Sequence, residues 1–314
     1  MKKPLVIIAG PTATGKTKVS IELAKRINGA VISADSMQVY KGMDIGSAKI
    51  MPEEMQGITH YLIDELAPSE EFNVKVFKDM ADTALSSIYE KHKIPMIVGG
   101  TGFYIQALLY GIEFPDEESN TGYREELVKV HEEKGAEYLH EMLREIDPVS
   151  ADEINMNNVK RVIRALEFYH DNNVPISAHN KLMREKESEF NHAFFVLTDD
   201  RSKLYERIDE RVDKMIEEGL VDEVKALKDN GYVRTDVAMQ GLGYKEILDY
   251  LDSKISLEEA VYIIKRDTRH FAKRQLTWFK RERDCIWIDR SEYDGDVNKI
   301  VDKMMSELKE RGII

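Results

Sequence analysis

The sequence predicts an α/β fold: a parallel sheet core with flanking helices, interrupted by an all-helical insert. Three observations predict it. Short apolar runs at 5–9, 30–33 and 94–98 alternate with amphipathic helical patterns, which is how a parallel sheet with helices on both faces reads. Strand signals then vanish between residues 113 and 190. They return at 193–197 and 285–288.

Leu5-Val6-Ile7-Ile8-Ala9 is apolar without alternation, as a strand buried on both faces should be. From Lys16, apolar residues at Val19, Ile21, Leu23, Ala24 and Ile27 give a helix ended by Asn28-Gly29. Ala30-Val31-Ile32-Ser33 is a second strand, Val74 to His92 a long amphipathic helix, and Ile94 to Val98 a third strand closed by Gly99-Gly100. Helical patterns cover 121–145 and 158–170, with turns at Asp147-Pro148 and Asn172-Asn173-Val174-Pro175. Residues 200–283 read as mostly helical, and a last helix spans 294–311. The expected organisation is a catalytic core of 1–112 plus 191–314, with a helical insert at 113–190.

At 314 residues the chain needs no disulfide or metal staple. Its single cysteine, Cys285, excludes a disulfide framework and a zinc ribbon. Five apolar residues after Met1-Lys2-Lys3-Pro4 are too few for a signal peptide, so a cytoplasmic location is expected, with a monomer as the default. The formal net charge of −13 argues against nucleic acid only if it is evenly spread. It is not: residues 113–158 carry 14 acidic and 4 basic side chains, whereas 265–283 carry 8 basic and 2 acidic ones.

Gly10-Pro11-Thr12-Ala13-Thr14-Gly15-Lys16-Thr17 fits G-x-x-x-x-G-K-[ST] between a buried strand and a helix. The glycines let backbone N–H groups turn toward phosphate oxygens, the helix adds its positive end, Lys16 adds a mobile charge, and the Thr17 hydroxyl can hold Mg²⁺. The core is therefore of the P-loop type. Kinases, NTPases and switch proteins all use such a cradle.

Asp35 follows the second strand, where α/β sheets place ligands. It can act as a general base, hold Mg²⁺ through water, or simply cap local N–H groups. The third strand, Ile94 to Val98, ends in Gly99-Gly100-Thr101-Gly102 rather than in Asp, which weakens an ATP-hydrolase reading.

The phosphate loop together with Asp35-Ser36-Met37-Gln38-Val39-Tyr40-Lys41-Gly42-Met43-Asp44-Ile45-Gly46-Ser47-Ala48-Lys49 resembles the bacterial tRNA dimethylallyltransferases, also called tRNA isopentenyltransferases. Gly99-Gly100-Thr101-Gly102-Phe103-Tyr104, Arg161-Val162-Ile163-Arg164-Ala165-Leu166-Glu167, Gln240-Gly241-Leu242-Gly243-Tyr244-Lys245-Glu246 and Lys273-Arg274-Gln275-Leu276-Thr277-Trp278-Phe279 match later motifs of that family in order. Asn155-Met156-Asn157-Asn158 departs from its usual H-P-N-[DN].

The resemblance implies transfer of a dimethylallyl group from dimethylallyl diphosphate to N6 of the adenosine 3′ to the tRNA anticodon, position 37, with Mg²⁺. The phosphate loop would then grip a departing diphosphate. It implies Thr12 as donor to the bridging oxygen, Asp35 as acceptor of the N6 proton, and Arg211 as a further cation. By its spacing alone, Arg211 is equally a helix-surface ion pair with its acidic neighbours.

For the RNA, the resemblance implies Asp35, Ser36, Met37, Gln38 and Thr101 near the flipped adenosine, with Gln240, Gly241 and Lys245 close by. Arg124, Lys160, Arg161, Arg164, Lys273 and Arg274 are candidates for phosphate contacts. Arg266, Arg269, Lys273 and Lys280 fall on one helix side, and Ile264, Phe271 and Trp278, seven apart, can pack inward. Two other readings remain open on the residues: an adenylate isopentenyltransferase acting on free nucleotide, and a small-molecule kinase.

Overall fold

The computed structural model describes residues 2–112 and 121–314. Contacts divide them into two units, 1–109 with 189–314, and 110–188. The insert thus begins and ends two to three residues earlier than the sequence predicts, and its expected first residues, 113–120, lie outside the described ones.

The larger unit opens with strand β1 (Lys3–Ala9), helix α1 (Lys16–Ile27) and strand β2 (Gly29–Ala34). A two-residue strand, β3 (His60–Tyr61), follows, then α2 (Val74–Glu90), β4 (Ile94–Gly99) and α3 (Gly102–Leu109). The smaller unit holds α4 (Thr121–Ile146), α5 (Pro148–Glu153), α6 (Val159–Asn172) and α7 (Ile176–Glu185). The chain then returns as β5 (Phe190–Thr198), α8 (Arg201–Glu217), α9 (Leu220–Asp229), α10 (Tyr244–Leu251), α11 (Leu257–Phe279), β6 (Cys285–Asp289) and α12 (Val297–Glu310).

The six strands among the described residues are all parallel, in the order β3-β2-β4-β1-β5-β6. β1 is central, flanked by β4 and β5, and its side chains from Leu5 to Ala9 are fully buried. That is why its sequence is apolar without alternation. Val6, Ile8, Leu23, Phe195, Leu197, Met304 and Leu308 form a core among the sheet, α1 and α12. β3 escaped the sequence reading because two residues carry no period.

Two expectations about α11 need correction. Its buried side chains are Ala260, Ile264, Ala272, Gln275 and Phe279, so Phe271 and Trp278 sit at the edge of that face and only half-bury. A spacing of seven drifts about 20° per repeat on a straight helix, enough to carry them off the face. The helix also stops at Phe279, leaving Lys280, Arg281 and Arg283 on the turn beyond it.

In the smaller unit, Leu127, Leu139, Leu143, Val162, Ile163 and Leu166 make a separate core. α4 breaks at Gly135, whose φ is 84°. Asp147 ties α5 to α7, accepting from Ser150 N (3.0 Å) and Oγ (2.7 Å) and from Ser177 N (2.9 Å) and Oγ (2.6 Å). Burial pushes this carboxyl up, but the four hydrogen bonds outweigh it and hold it below the usual range. Where the family's H-P-N-[DN] would stand, Asn155 Oδ1 accepts from Asn157 N at 2.9 Å and builds the turn into α6.

Candidate active site

The phosphate loop leaves the carboxyl end of β1 and enters α1. Gly10 is required: with φ 138°, any Cβ would lie 2.4 Å from the Leu197 carbonyl of β5. Thr14 is buried, and its hydroxyl donates to Pro11 O at 2.8 Å. Lys16 folds back over the loop, its Nζ donating to Gly10 O (2.9 Å) and Pro11 O (2.8 Å). An ammonium has three donors, so one remains for an anion. Thr12 N does not point into the cradle; it donates to Gln275 Oε1 at 3.1 Å. Gln275 Nε2 in turn donates to Gly100 O at 3.0 Å, so one buried amide of α11 clips the phosphate loop to the end of β4.

Arg211 projects from α8 and its NH1 donates to Thr12 Oγ1 at 3.1 Å. Its acidic neighbour Asp209 is paired instead with Arg269 of α11, at 2.5 Å. The helix-surface ion pair between Arg211 and Asp209 therefore does not form. Because Thr12 Oγ1 accepts from Arg211, its own O–H is left to donate.

Asp35 stands just past β2, across the end of β4 from the phosphate loop. β4 ends there at Gly99, followed by Gly100, and a Cβ at either would strike the Ala34 carbonyl (2.2 Å) or the Gln275 amide (2.1 Å). Oδ1 of Asp35 accepts from Met37 N at 2.9 Å, and the carboxylate makes no other hydrogen bond among the described residues, leaving Oδ2 to act. Burial lowers the Lys16 pKa to about 8; the Asp35 charge opposes that drop and Arg211 adds to it. Burial likewise lowers Arg211, opposed by Asp35 and Glu54. Lys16, Arg211 and Asp35 thus share one electrostatic field.

The segment after Asp35 is held by one buried charge, Lys49, and by the half-buried Glu223. Lys49, 5% exposed, donates to Tyr40 O (2.7 Å) and Asp44 Oδ1 (2.6 Å), and also pairs with Asp64. Glu223, in the first turn of α9, accepts from the backbone N–H groups of Asp44 (2.9 Å), Ile45 (2.7 Å) and Gly46 (3.1 Å) and from Tyr244 Oη (2.8 Å).

The expected RNA-facing residues divide. Ser36, Met37 and Thr101 are half-buried near Asp35, with Thr101 N donating to Ala34 O at 3.2 Å. Gln38 is turned inward: its Nε2 donates to Ala48 O at 3.2 Å, so its amide builds its own loop. Gly241 lies against Met37, and a Cβ there would meet the methionine Cε at 2.5 Å. Gln240 is exposed and Lys245 half-buried beside Glu246. In the insert, Lys160, Arg161 and Arg164 are exposed on α6, whereas Arg124 is committed to a bidentate pair with Glu167, both contacts 2.8 Å.

On α11, Lys265 pairs with Asp213 (2.6 Å) and Arg266 with Asp267 (2.8 Å), so with Arg269 the first half of the basic stretch is spent on folding. Lys273 and Arg274 are exposed, Arg274 lying 5.8 Å from the Phe271 ring. Trp278 packs edge-on to Phe103, centroids 6.1 Å apart, as a packing residue.

Sequence reasoning missed Arg207 and Arg290, whose guanidiniums reach the phosphate loop from α8 and from the turn after β6, and Glu223. It placed Gln275 only inside a motif. The one available signal was a polar residue on the apolar side of α11.

A family model described as IPP transferase matches residues 38–282. The tRNA dimethylallyltransferase of Lachnoclostridium phytofermentans is 58% identical over 312 residues, 99% of each chain. Among solved structures, the full-length tRNA isopentenylpyrophosphate transferase from Bacillus halodurans matches with TM-score 0.73 and 44% identity, covering 99% of this chain and 98% of that one. A eukaryotic dimethylallyltransferase acting on tRNA matches with TM-score 0.78 and 31% identity, covering 91% of this chain and 74% of that one. A phosphate loop facing Asp35 across a glycine-ended strand, in a chain this similar to those enzymes, places it in the IPP transferase family, the tRNA dimethylallyltransferases.

Proposed function

We propose that this chain transfers a dimethylallyl group from dimethylallyl diphosphate to N6 of adenosine 37, the residue 3′ to the anticodon of tRNA, and releases diphosphate. The observation that carries this reading is the pairing of Arg211 with Thr12 inside a phosphate loop that faces Asp35. The allylic C–O bond breaks and its electron pair leaves with the diphosphate. Lys16, Arg211, the Thr12 hydroxyl and the loop N–H groups stabilise that charge, the kind of preorganised electrostatics that dominates many enzymes. The N6 lone pair forms the new C–N bond, and Asp35 takes the N6 proton. An adenine stacked in an anticodon loop must be extruded to reach Asp35.

Magnesium fits this site. Thr17 is exposed on the first turn of α1 and its hydroxyl bonds to no group among the described residues. No cluster of three His, Cys, Asp or Glu side chains forms among those residues. The ion would therefore rest on Thr17, water and diphosphate oxygens, as Mg²⁺ commonly does. When bound it supplies charge neutralisation to the diphosphate.

The direct test incubates the protein with Mg²⁺, dimethylallyl diphosphate and an unmodified anticodon stem-loop carrying adjacent adenosines. The RNA is expected to gain one dimethylallyl group in place of one proton, by mass spectrometry. Transfer to free AMP alone, or phosphorylation by ATP alone, would replace this reading. No helix among the described residues is long and apolar enough to cross a membrane.

Lys16 gives a pH prediction. Anion binding needs its ammonium, which burial destabilises so that it titrates at about 8. Diphosphate affinity is therefore full well below that value and falls as pH rises through it, by about tenfold per unit until the pKa of the bound form. Lys16→Ala should weaken binding at neutral pH and keep only the pH dependence of the diphosphate's own ionisation. A titration with inorganic diphosphate from neutral to alkaline pH in both proteins checks this, and a wild-type profile parallel to that of the variant would contradict it.

A further inference from the structure

Two arginines touch the phosphate loop from outside the cradle. Arg207 of α8 donates from Nε to Ala13 O at 3.0 Å, and its other face pairs with buried Asp199 at 2.8 Å. Arg290, on the turn after β6, donates from NH1 to Thr14 O at 2.8 Å. No carboxylate bonds Arg290 among the described residues, and its Nε is buried without a partner. Burial first and the Arg207 charge second pull its pKa down, opposed by Asp199. A guanidinium held there at such expense calls for a reason.

The reason lies in the peptide plane. In a trans peptide the C=O and the following N–H point in opposite directions. Holding Ala13 C=O outward turns Thr14 N–H inward; holding Thr14 C=O outward turns Gly15 N–H inward. Ala13 also adopts φ 63°, a conformation that a non-glycine residue rarely keeps unless something holds it. We infer that Arg207 and Arg290 are positioning residues that aim the Thr14 and Gly15 N–H groups at the substrate's diphosphate by fixing the two carbonyls behind them. Gly15 then has a second duty besides its φ of 81°. A Cβ there would stand 2.9 Å from Arg290 NH1 and displace the guanidinium.

This inference rests on the diphosphate reading above but is tested without prenyl transfer. The probe is inorganic diphosphate, titrated calorimetrically into wild type, Arg290→Met, Arg290→Lys and Arg207→Lys, with circular dichroism to verify folding. Arg290→Met is expected to bind about ten- to hundredfold more weakly, the cost of misplaced donors. In ¹⁵N–¹H spectra, the large shift of the Gly15 amide on adding diphosphate should shrink with it, a change that a general loss of stability does not produce. Arg290→Lys keeps the charge without the planar fork and should recover little.

Should Arg290→Met fail to fold, Arg207→Lys carries the same test at the Ala13 carbonyl. Folded variants that bind as wild type does, or full recovery in Arg290→Lys, would overturn the inference and leave the cradle intact. A wild-type protein that binds no diphosphate would overturn both.

Discussion

Replacing Asp35 by asparagine is expected to cut turnover about a thousandfold, within the range that a positioned general base contributes. Affinity for inorganic diphosphate should change less than about threefold, since the substitution spares the preorganised cradle donors. The substitution isolates the proton-accepting role. An amide oxygen can still accept from Met37 N, as Oδ1 does at 2.9 Å, so the turn after β2 survives. What is lost is the basic oxygen and one negative charge facing Lys16 and Arg211. The adenine amine is a weak nucleophile, because its lone pair is delocalised into the ring, and it depends on losing that proton as the bond forms. Single-turnover kinetics beside a diphosphate titration separates the effects. Equal loss of rate and affinity would instead make Asp35 a metal or structural ligand.

Glu223→Ala should produce the largest loss of stability. One carboxylate receives four hydrogen bonds, three of them from consecutive backbone N–H groups of 44–46. Charge-assisted bonds contribute about 1.5–3 kcal/mol each when the surviving partner is left dry. Water reaches a half-buried site and restores part of this, so the net cost should be about 2–3 kcal/mol. For a chain of this size that is a Tm fall of about 3–5 °C. Tyr244→Phe removes one bond and should cost about 1 kcal/mol. Thermal denaturation measures both, and an unchanged Tm in Glu223→Ala would show that the loop does not depend on this carboxylate. The same variant should raise KM for tRNA more than for the diphosphate substrate, because the loop it releases carries Met37.

The cradle was legible because its geometry is written in contiguous residues. Gly10, Gly15, Lys16 and Thr17 act at fixed offsets between a strand and a helix, and local sequence dictates their shape. Asp35 was legible for a related reason, its place just beyond a fully buried strand. What stayed hidden acts across long separations. Gln275 reaches Thr12, Arg290 reaches Thr14 and Glu223 reaches Asp44, pairs that only the folded sheet brings together. Residue type also leaves open which partner a side chain takes. Gln38, expected beside the adenosine, donates to Ala48 O, and Arg124, a candidate phosphate contact, pairs with Glu167 in its own unit. Lys265 and Arg269 read as a charged surface until the acidic face of α8 was set beside them.

The strand order has a consequence for how the chain is made. β1 gains one neighbour from β4, but its other neighbour is β5, so that Val6 pairs with Ala193. A ribosome must therefore deliver the whole insert before the middle of the sheet can close. Residues 110–188 bury a core of their own and can collapse in the meantime, as domains do during synthesis. The half-sheet that waits exposes the β1 edge, an open template for pairing with another chain. Production of this protein should accordingly be sensitive to anything that slows elongation through the insert or the return of β5.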